Sequence, residues 1–184
     1  MNRYVKRGTS GIGLIDPTDQ KAKIKYVFDV DDTGGKENSK KPYLWSMKEE
    51  YEQPILDMLT SKYEIEETDI YTVIDKIANK LAEDYYIDIK NDLSYAVEGS
   101  FLEDLDELNI KIEFTDALQT SISYTLMKKM NLDVSDQFDY EDFSAIFDFN
   151  TPATVSILAD TVSKATEEVF REVAKTIIKE EWNG

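Results

Sequence analysis

The sequence contains no cysteine and no histidine. Without these side chains the chain cannot form disulfide bonds, thiolate or imidazole zinc sites, cysteine or histidine nucleophiles, or a Ser-His-Asp triad. Any chemistry would therefore depend on Asp, Glu, Lys, Ser, Thr or Tyr, together with an oxygen-ligated metal such as Mg²⁺. We expect no resident cofactor.

Long apolar runs are also lacking. No stretch approaches the roughly 18–20 apolar residues that span a bilayer, and the N-terminal MNRYVKRG is not followed by the apolar segment of a signal peptide. We therefore expect a cytoplasmic protein with no membrane partner. The chain has 184 residues, of which 41% are hydrophobic and 32% charged. It is long enough for one domain with a buried core, or for one domain and a small appendage.

Positive charge is scarce and unevenly distributed. The formal net charge is −17; residues 1–48 carry ten Lys or Arg against six Asp or Glu, whereas residues 49–184 carry 11 against 32. An acidic surface repels phosphate backbones, which argues against nucleic-acid binding by the whole chain. The first quarter of the chain is mildly basic, so nucleic-acid binding by that segment remains an alternative.

The first quarter of the chain has the pattern of β-structure. Turn residues at Pro17–Gln20 separate two strand-like runs, Ile12–Asp16 and Lys23–Val30, and predict an antiparallel hairpin. Residues 33–41, TGGKENSKK, are predicted to form a polar, mobile loop. The alternation within the second run predicts one buried face, formed by Ile24, Tyr26, Phe28 and Val30.

Beyond that quarter the pattern is helical. Capping boxes are predicted at Ser46–Glu49 and Ser100–Glu103, and the acidic residues around Asp69 favour a helix start. Pro54 predicts a kink or a restart in the first helix. A further short helix is expected from Asp139 to Phe147.

Two helices have especially regular apolar spacing. Residues 114–130 carry an i,i+4 series, and the longest helix begins at Thr151-Pro152. The first series is Phe114, Leu118, Ile122, Leu126 and Met130. The inward positions predicted for the longest helix are Val155, Leu158, Val162, Ala165, Val169, Val173 and Ile177.

These patterns predict an α+β fold that is mostly α. A short antiparallel β-hairpin or sheet precedes a bundle of about six helices, and the absence of strand patterns between the helices argues against a parallel α/β sheet. We predict a hairpin segment and polar loop over residues 1–41 and an acidic helical domain over residues 42–184.

The stretch Asp29-Val-Asp-Asp-Thr33 resembles the nucleophile motif of haloacid-dehalogenase-type phosphatases. In such enzymes the first Asp is the nucleophile, the second is the acid/base, and Mg²⁺ lies between them at the end of a parallel strand. Here a helical chain follows the motif, so the required sheet is not predicted. The alternative is that Asp29 and Asp31 pair with strand lysines while Asp32 and Thr33 begin a loop.

Three other patterns are less consistent with a site. The same aspartates fit the start of a calcium loop, but Lys40 occupies the position that requires a bidentate Glu. We interpret the acidic run Asp133–Asp142 as a solvated connector between helices; a weak metal site is the alternative. Gly8, Gly11 and Gly13 are not followed by the helix that a phosphate cradle needs, so we interpret them as turn glycines.

Basic and aromatic residues interleave in the hairpin. Such a pattern on a small sheet can bind single-stranded nucleic acid through phosphate contacts and base stacking. The alternative is that Tyr26 and Phe28 face a core and that the lysines are ordinary strand surface. The candidate nucleic-acid-binding residues are Arg3, Tyr4, Lys6, Arg7, Lys21, Lys23 and Lys25.

Several blocks of sequence resemble the N-terminal region of large polyvalent proteins carried by Gram-positive conjugative elements. Those proteins are ArdC-like antirestriction proteins at their start and carry helicase or DNA-methylase modules further on. The blocks are MNRYVKRGTSGIGLID, KYVFDVDDT, KPYLWSM, EGSFLEDLDELN, SISYTLMKKMNLD and FDFNTPATVSILADTVS.

The resemblance implies a domain associated with single-stranded DNA binding. Val5–Ile12 matches a V-x-(R/K)-G-x-x-G-I hairpin block and Val27–Thr33 matches a VFDV-x-(D/Q)-T block. In the family further sequence normally precedes the first block, so we expect this chain to begin inside the module. The metallopeptidase and methylase sites of the family are not expected in this stretch.

Three functions follow as hypotheses. The first is a non-catalytic mobile-element module that binds or protects single-stranded DNA during conjugative transfer. The second is an acidic protein-interaction or DNA-mimic scaffold, with the Glu/Asp clusters at 103–107 and 133–142 as its surface. The third is a Mg²⁺-dependent phosphatase that uses Asp29.

Overall fold

A computed structural model describes residues 2–15, 24–39 and 47–183, with the side chains of residues 15 and 183 excepted. The chain forms two compact units, residues 1–44 and 45–184. The predicted division between residues 41 and 42 lies outside the described residues, as do Ser46 of the first predicted capping box and the predicted turn at Pro17–Gln20.

The first unit contains two small antiparallel sheets. The strands are β1 (Arg3–Val5), β2 (Ile12–Ile15), β3 (Ile24–Val27) and β4 (Thr33–Gly35). β2 pairs with β3, so the predicted hairpin strands are observed. β1 pairs with β4, with Tyr4 opposite Gly34.

Two details of the β-prediction are wrong. Residues 33–35 form a strand rather than the start of a polar loop. The predicted buried face is not buried, because Ile24 and Tyr26 are exposed and Phe28 and Val30 are only half-buried. A two-stranded ribbon without a covering layer cannot bury either face.

The second unit contains the helices. They are α1 (Glu49–Tyr63), α2 (Ile70–Ala96), α3 (Glu107–Lys129), a 3₁₀-helix (Glu141–Asp148) and α4 (Pro152–Asn183). Asp69 caps α2 by accepting a hydrogen bond from the Thr72 N–H at 2.8 Å, and Asp106 caps α3 in the same way through the Asn109 N–H at 2.9 Å. These caps satisfy N–H groups that have no intrahelical partner.

The core of the second unit lies between α1, α2, α3 and α4. In the part of the chain that the structure describes, every buried apolar side chain lies between Tyr51 and Ile177. The predicted α3 series from Phe114 to Met130 is buried throughout. Phe114 lies at the centre, with its ring centroid 6.0 Å from that of Tyr86 and 5.9 Å from that of Phe149.

Three helix predictions need correction. α1 begins at Glu49 with Lys48 at its N-cap position, and it continues through Pro54 as one helix, so the predicted alternative of a restart at Pro54 is wrong. Residues 98–105 form turns instead of a short helix, and Ser100 Oγ accepts from the Leu102 N–H rather than from the Glu103 N–H. Val155 is exposed, because it lies one position away from the buried face of α4, which includes Thr154 and Leu158.

The prediction of a mostly helical α+β chain with short antiparallel strands ahead of the helices is confirmed. Over the residues described there are four α-helices and one 3₁₀-helix, where about six helices were predicted. None of the described helices has the length and hydrophobicity that a membrane span requires.

Candidate nucleic-acid interface

The first unit exposes an unusual number of apolar side chains for so short a segment. Its described residues include no buried side chain. Large apolar side chains that occupy the sheets are exposed to solvent instead, and exposed apolar patches can mark interaction surfaces. The exposed set is Tyr4, Val5, Ile12, Leu14, Ile24, Tyr26 and Val27.

The register of the β2–β3 ribbon separates two faces. Residues directly opposite each other share a face, and Gly13 lies opposite Tyr26 while Leu14 lies opposite Lys25. One face, which we call the tyrosine face, carries Ile24, Tyr26 and Phe28. The opposite face, the lysine face, carries Ile12, Leu14, Lys25 and Val27.

Aromatic rings lie across glycines in both sheets. A Cβ atom placed on Gly34 would be 2.8 Å from the Tyr4 ring, and one placed on Gly11 would be 2.8 Å from the Phe28 ring. A Cβ atom placed on Gly13 would be 3.5 Å from the Tyr26 ring. Because glycine has no side chain, the rings can lie close to the neighbouring strand. This packing also favours the observed register of the paired strands.

The two tyrosines keep most of their surface in solvent. Tyr26 is 60% exposed and Tyr4 is 56% exposed. Each ring is supported by the strand opposite it and open on its outer side. This is the arrangement of a stacking platform for a planar group.

Arg3 links β1 to the residues before and at the start of β4. Its guanidinium donates to Thr33 Oγ1 at 2.8 Å, to the Thr33 carbonyl at 3.0 Å and to the Val30 carbonyl at 3.3 Å. Lys6 donates through Nζ to the Asp31 carbonyl at 2.6 Å, and its own N–H donates to the Asp32 carbonyl at 2.8 Å. Two of the predicted site residues therefore tie β1 to the turn that precedes β4.

Replacing Arg3 with alanine should loosen this unit selectively. The change removes charge-assisted hydrogen bonds to half-buried acceptors, so the opening free energy should fall by about 1–3 kcal/mol. Amide exchange at Lys6 should accelerate, while protection in α2 and α3 stays constant. Arg7→Ala is the matched control, since the Arg7 side chain is exposed. Equal effects of the two substitutions at Lys6 would show that the Arg3 contacts are not needed.

The remaining basic candidates differ in their placement. Arg7 is exposed in the turn after β1, and Lys25 is exposed on the lysine face. Lys21 and Lys23 lie outside the described residues. The structure thus brings Tyr4, Arg7, Lys25 and Tyr26 onto one small unit as exposed groups.

The Asp29 motif forms a turn. Asp29 Oδ1 accepts from the Asp31 N–H at 2.8 Å, and the Thr33 N–H donates to the Val30 carbonyl at 3.0 Å. β3 ends at Val27, is antiparallel to β2, and is followed by β4. A phosphatase nucleophile requires the end of a parallel strand, so the context for that chemistry is not the one observed.

A second candidate surface lies on the helical unit. A groove of about 520 Å³ is lined by residues of α2 and its N-cap, of α3, and of the 3₁₀-helix and the connector before it. Asp75 accepts hydrogen bonds from Gln119 and Ser123, both at 3.2 Å. Among the residues that the structure describes, no group of three or more acidic side chains is arranged to hold a metal ion. The acidic lining residues are Asp69, Asp75, Asp116 and Asp142.

Like charges are crowded near this groove. Partial burial, followed by repulsion from Asp148 and Asp116, raises the pKa of Glu113 above its usual value. Because the folded-state pKa is the higher one, this group favours the folded state below its unfolded pKa. That contribution is lost as the pH rises through the folded-state pKa.

No protein-family model matches the chain, and no curated protein or solved structure matches it. The resemblance to ArdC-like proteins stays a prediction from the sequence blocks.

Sequence reasoning missed the apolar exposure of the first unit and the structural use of Arg3. Alternation along β3 pointed to a buried face. In the structure β3 pairs with β2 alone in a two-stranded sheet, and Ile24 and Tyr26 are exposed. The partners of Arg3 are 27 and 30 residues away, so no local pattern indicates them.

Proposed function

We propose that this chain is a non-catalytic module of an ArdC-like polyvalent protein of a conjugative element, and that its first unit binds single-stranded DNA in the cytoplasm. The observation that carries the proposal is the pair of exposed tyrosines, Tyr4 and Tyr26, each lying across a glycine of the paired strand. A supported ring with one open side stacks on a base without pairing to it, which suits single strands of any sequence.

The distribution of charge also favours DNA binding by the first unit. Arg7 is exposed in the turn after β1 and Lys25 on the lysine face of the ribbon. A strand that stacks on Tyr26 would therefore contact Lys25 by passing over the edge of the ribbon. The helical unit carries most of the acidic residues and would repel a phosphate backbone. Binding should therefore be confined to the first unit and should weaken as salt is added.

The salt dependence provides a direct test. With labelled oligothymidine, Lys25→Ala should reduce the slope of log K against log salt by about 0.7, the value for one lost single-strand phosphate contact. Fluorescence anisotropy at a series of salt concentrations measures this slope. The control is Lys164→Ala, which removes an exposed lysine from α4. Identical slopes for wild type and Lys25→Ala, or no binding by wild type at low salt, would rule out the proposed contact.

A second candidate function is favoured by the acidic groove on the helical unit. A surface lined by four aspartates suits a basic protein partner or mimics the charge of duplex DNA. If the chain is a DNA mimic, it should inhibit duplex cleavage by a restriction endonuclease, and Asp116→Asn with Asp142→Asn should relieve the inhibition. A module that only binds single strands would leave duplex cleavage unchanged.

A further inference from the structure

An apolar groove runs between α3 and α4 on the helical unit. It has a volume of about 450 Å³, and Ile146 of the 3₁₀-helix and Phe149 directly after that helix contribute to its lining. The groove is open to solvent along its length, and Val155 on its wall is half exposed. Its apolar walls are formed by Ile146, Phe149, Val155, Leu158, Ala159 and Val162.

The groove follows the helix axes. α3 contributes Ser121, Thr125 and Lys129, which are successive i,i+4 positions along one side of that helix. α4 contributes residues from Val155 to Thr166, a span of ~16 Å at the helical rise per residue. The depression therefore has the length of about three helical turns.

The lining residues of α3 and α4 include small hydroxyl side chains. Ser121 and Thr166 donate their hydroxyls to carbonyls of their own helices, those of Ala117 and Val162, at 2.7 and 2.8 Å. These hydroxyls are thus already satisfied and do not demand polar partners. Small side chains in the lining allow another helix to approach at the usual 8–10 Å between axes.

The charge of the groove differs from that of its surroundings. None of its lining residues is acidic, although residues 49–184 carry 32 Asp or Glu. The charged residue in the lining is Lys129, whose ammonium lies 4.9 Å from the centre of the Phe170 ring. Lys129 is exposed, so its charge remains open to an anionic group of an occupant.

We propose that this groove binds one amphipathic helix of a partner protein, with apolar residues at i, i+3, i+4 and i+7 against the walls and a carboxylate facing Lys129. A helix fits the length and the apolar lining, and such grooves are a recurring mode of peptide recognition. A small ligand would leave too much of its surface in this open groove. A second copy of the chain is disfavoured by the repulsion between two molecules of net charge −17.

Selection from a displayed library of helical peptides tests the proposal on the full chain. Wild-type protein should enrich peptides with the i, i+3, i+4, i+7 apolar pattern and an Asp or Glu at one end. Val155→Glu should weaken their binding at least tenfold, since the charge would be buried against an apolar ridge. Lys129→Glu should shift the selection towards peptides with Lys or Arg at that end.

The matched control is Ile178→Glu, which places the same charge on another exposed apolar position of α4, outside the groove. This variant should bind the selected peptides as wild type does, and circular dichroism should show equal helix content in all variants. Peptides that bind wild type and Val155→Glu equally, or a selection that yields no amphipathic pattern, would overturn the proposal.

Discussion

Replacing Tyr26 with alanine is expected to weaken binding to labelled oligothymidine by roughly 5- to 150-fold. Base stacking on an aromatic side chain contributes about 1–3 kcal/mol per base, and each 1.4 kcal/mol corresponds to about a factor of ten in affinity. The Tyr26 ring is exposed and lies beside Gly13 on the paired strand, so its loss removes the platform without removing buried contacts. Anisotropy at constant low salt measures the change.

Two further variants make this result specific. Tyr26→Phe keeps the ring and should bind within about twofold of wild type, because stacking does not require the hydroxyl. Tyr95→Ala removes a tyrosine from α2 that is even more exposed and should leave the affinity unchanged. If Tyr26→Ala and Tyr95→Ala behave alike, the tyrosine face is not the binding surface.

Replacing Phe114 with alanine is expected to destabilise the helical unit by about 3–5 kcal/mol. The side chain is fully buried on α3, and its ring contacts those of Tyr86 on α2 and Phe149 ahead of α4. Truncation leaves a cavity where α2, α3 and the segment before α4 meet. A shift of one of these segments cannot fill the cavity, so contacts of its lining atoms are lost. The midpoint of thermal unfolding should fall by roughly 10 °C, measured by circular dichroism at the helical band.

Phe101→Ala is the control for that experiment. Phe101 is exposed in the turns between α2 and α3, so the same truncation there should change the unfolding free energy by less than about 0.5 kcal/mol. A Phe114→Ala protein that unfolds with wild-type parameters would mean that the three-ring contact does not organise the core.

The parts of the fold that were predictable from sequence are those fixed by local periodicity and capping. The i,i+4 series from Phe114 to Met130 identified α3, and Asp69 marked the start of α2. The prediction of a helix at Ser100 was wrong because a four-residue capping pattern is satisfied equally well by a turn. There Glu103 Oε2 accepts from the Gly99 N–H, one residue ahead of the predicted partner.

The strand β4 illustrates why pairing cannot be inferred from a short segment alone. Gly34 and Gly35 have low strand propensity and favoured the prediction of a loop. Their strand conformation depends on β1, where the Tyr4 ring covers Gly34 and Arg3 binds Thr33. The contacts that stabilise this strand come from about 30 residues upstream.

The sequence predicted which residues lie in the candidate site, but it did not predict which of them have a structural role and which are exposed for binding. The interleaved basic and aromatic residues pointed to the first unit, and Tyr4, Arg7, Lys25 and Tyr26 are exposed there. The same pattern did not separate Arg3 and Lys6, whose side chains bind backbone carbonyls, from Arg7 and Lys25. That separation depends on tertiary hydrogen bonds.

The most direct test of single-strand binding by the first unit is a titration of ¹⁵N-labelled protein with oligothymidine at low ionic strength. Chemical-shift changes in the two-dimensional amide spectrum are expected at Tyr4, Arg7, Lys25 and Tyr26 and their strand neighbours, with the signals of α2 and α3 unmoved. An unchanged spectrum, or changes restricted to the helices between residues 49 and 183, would contradict the proposed interface.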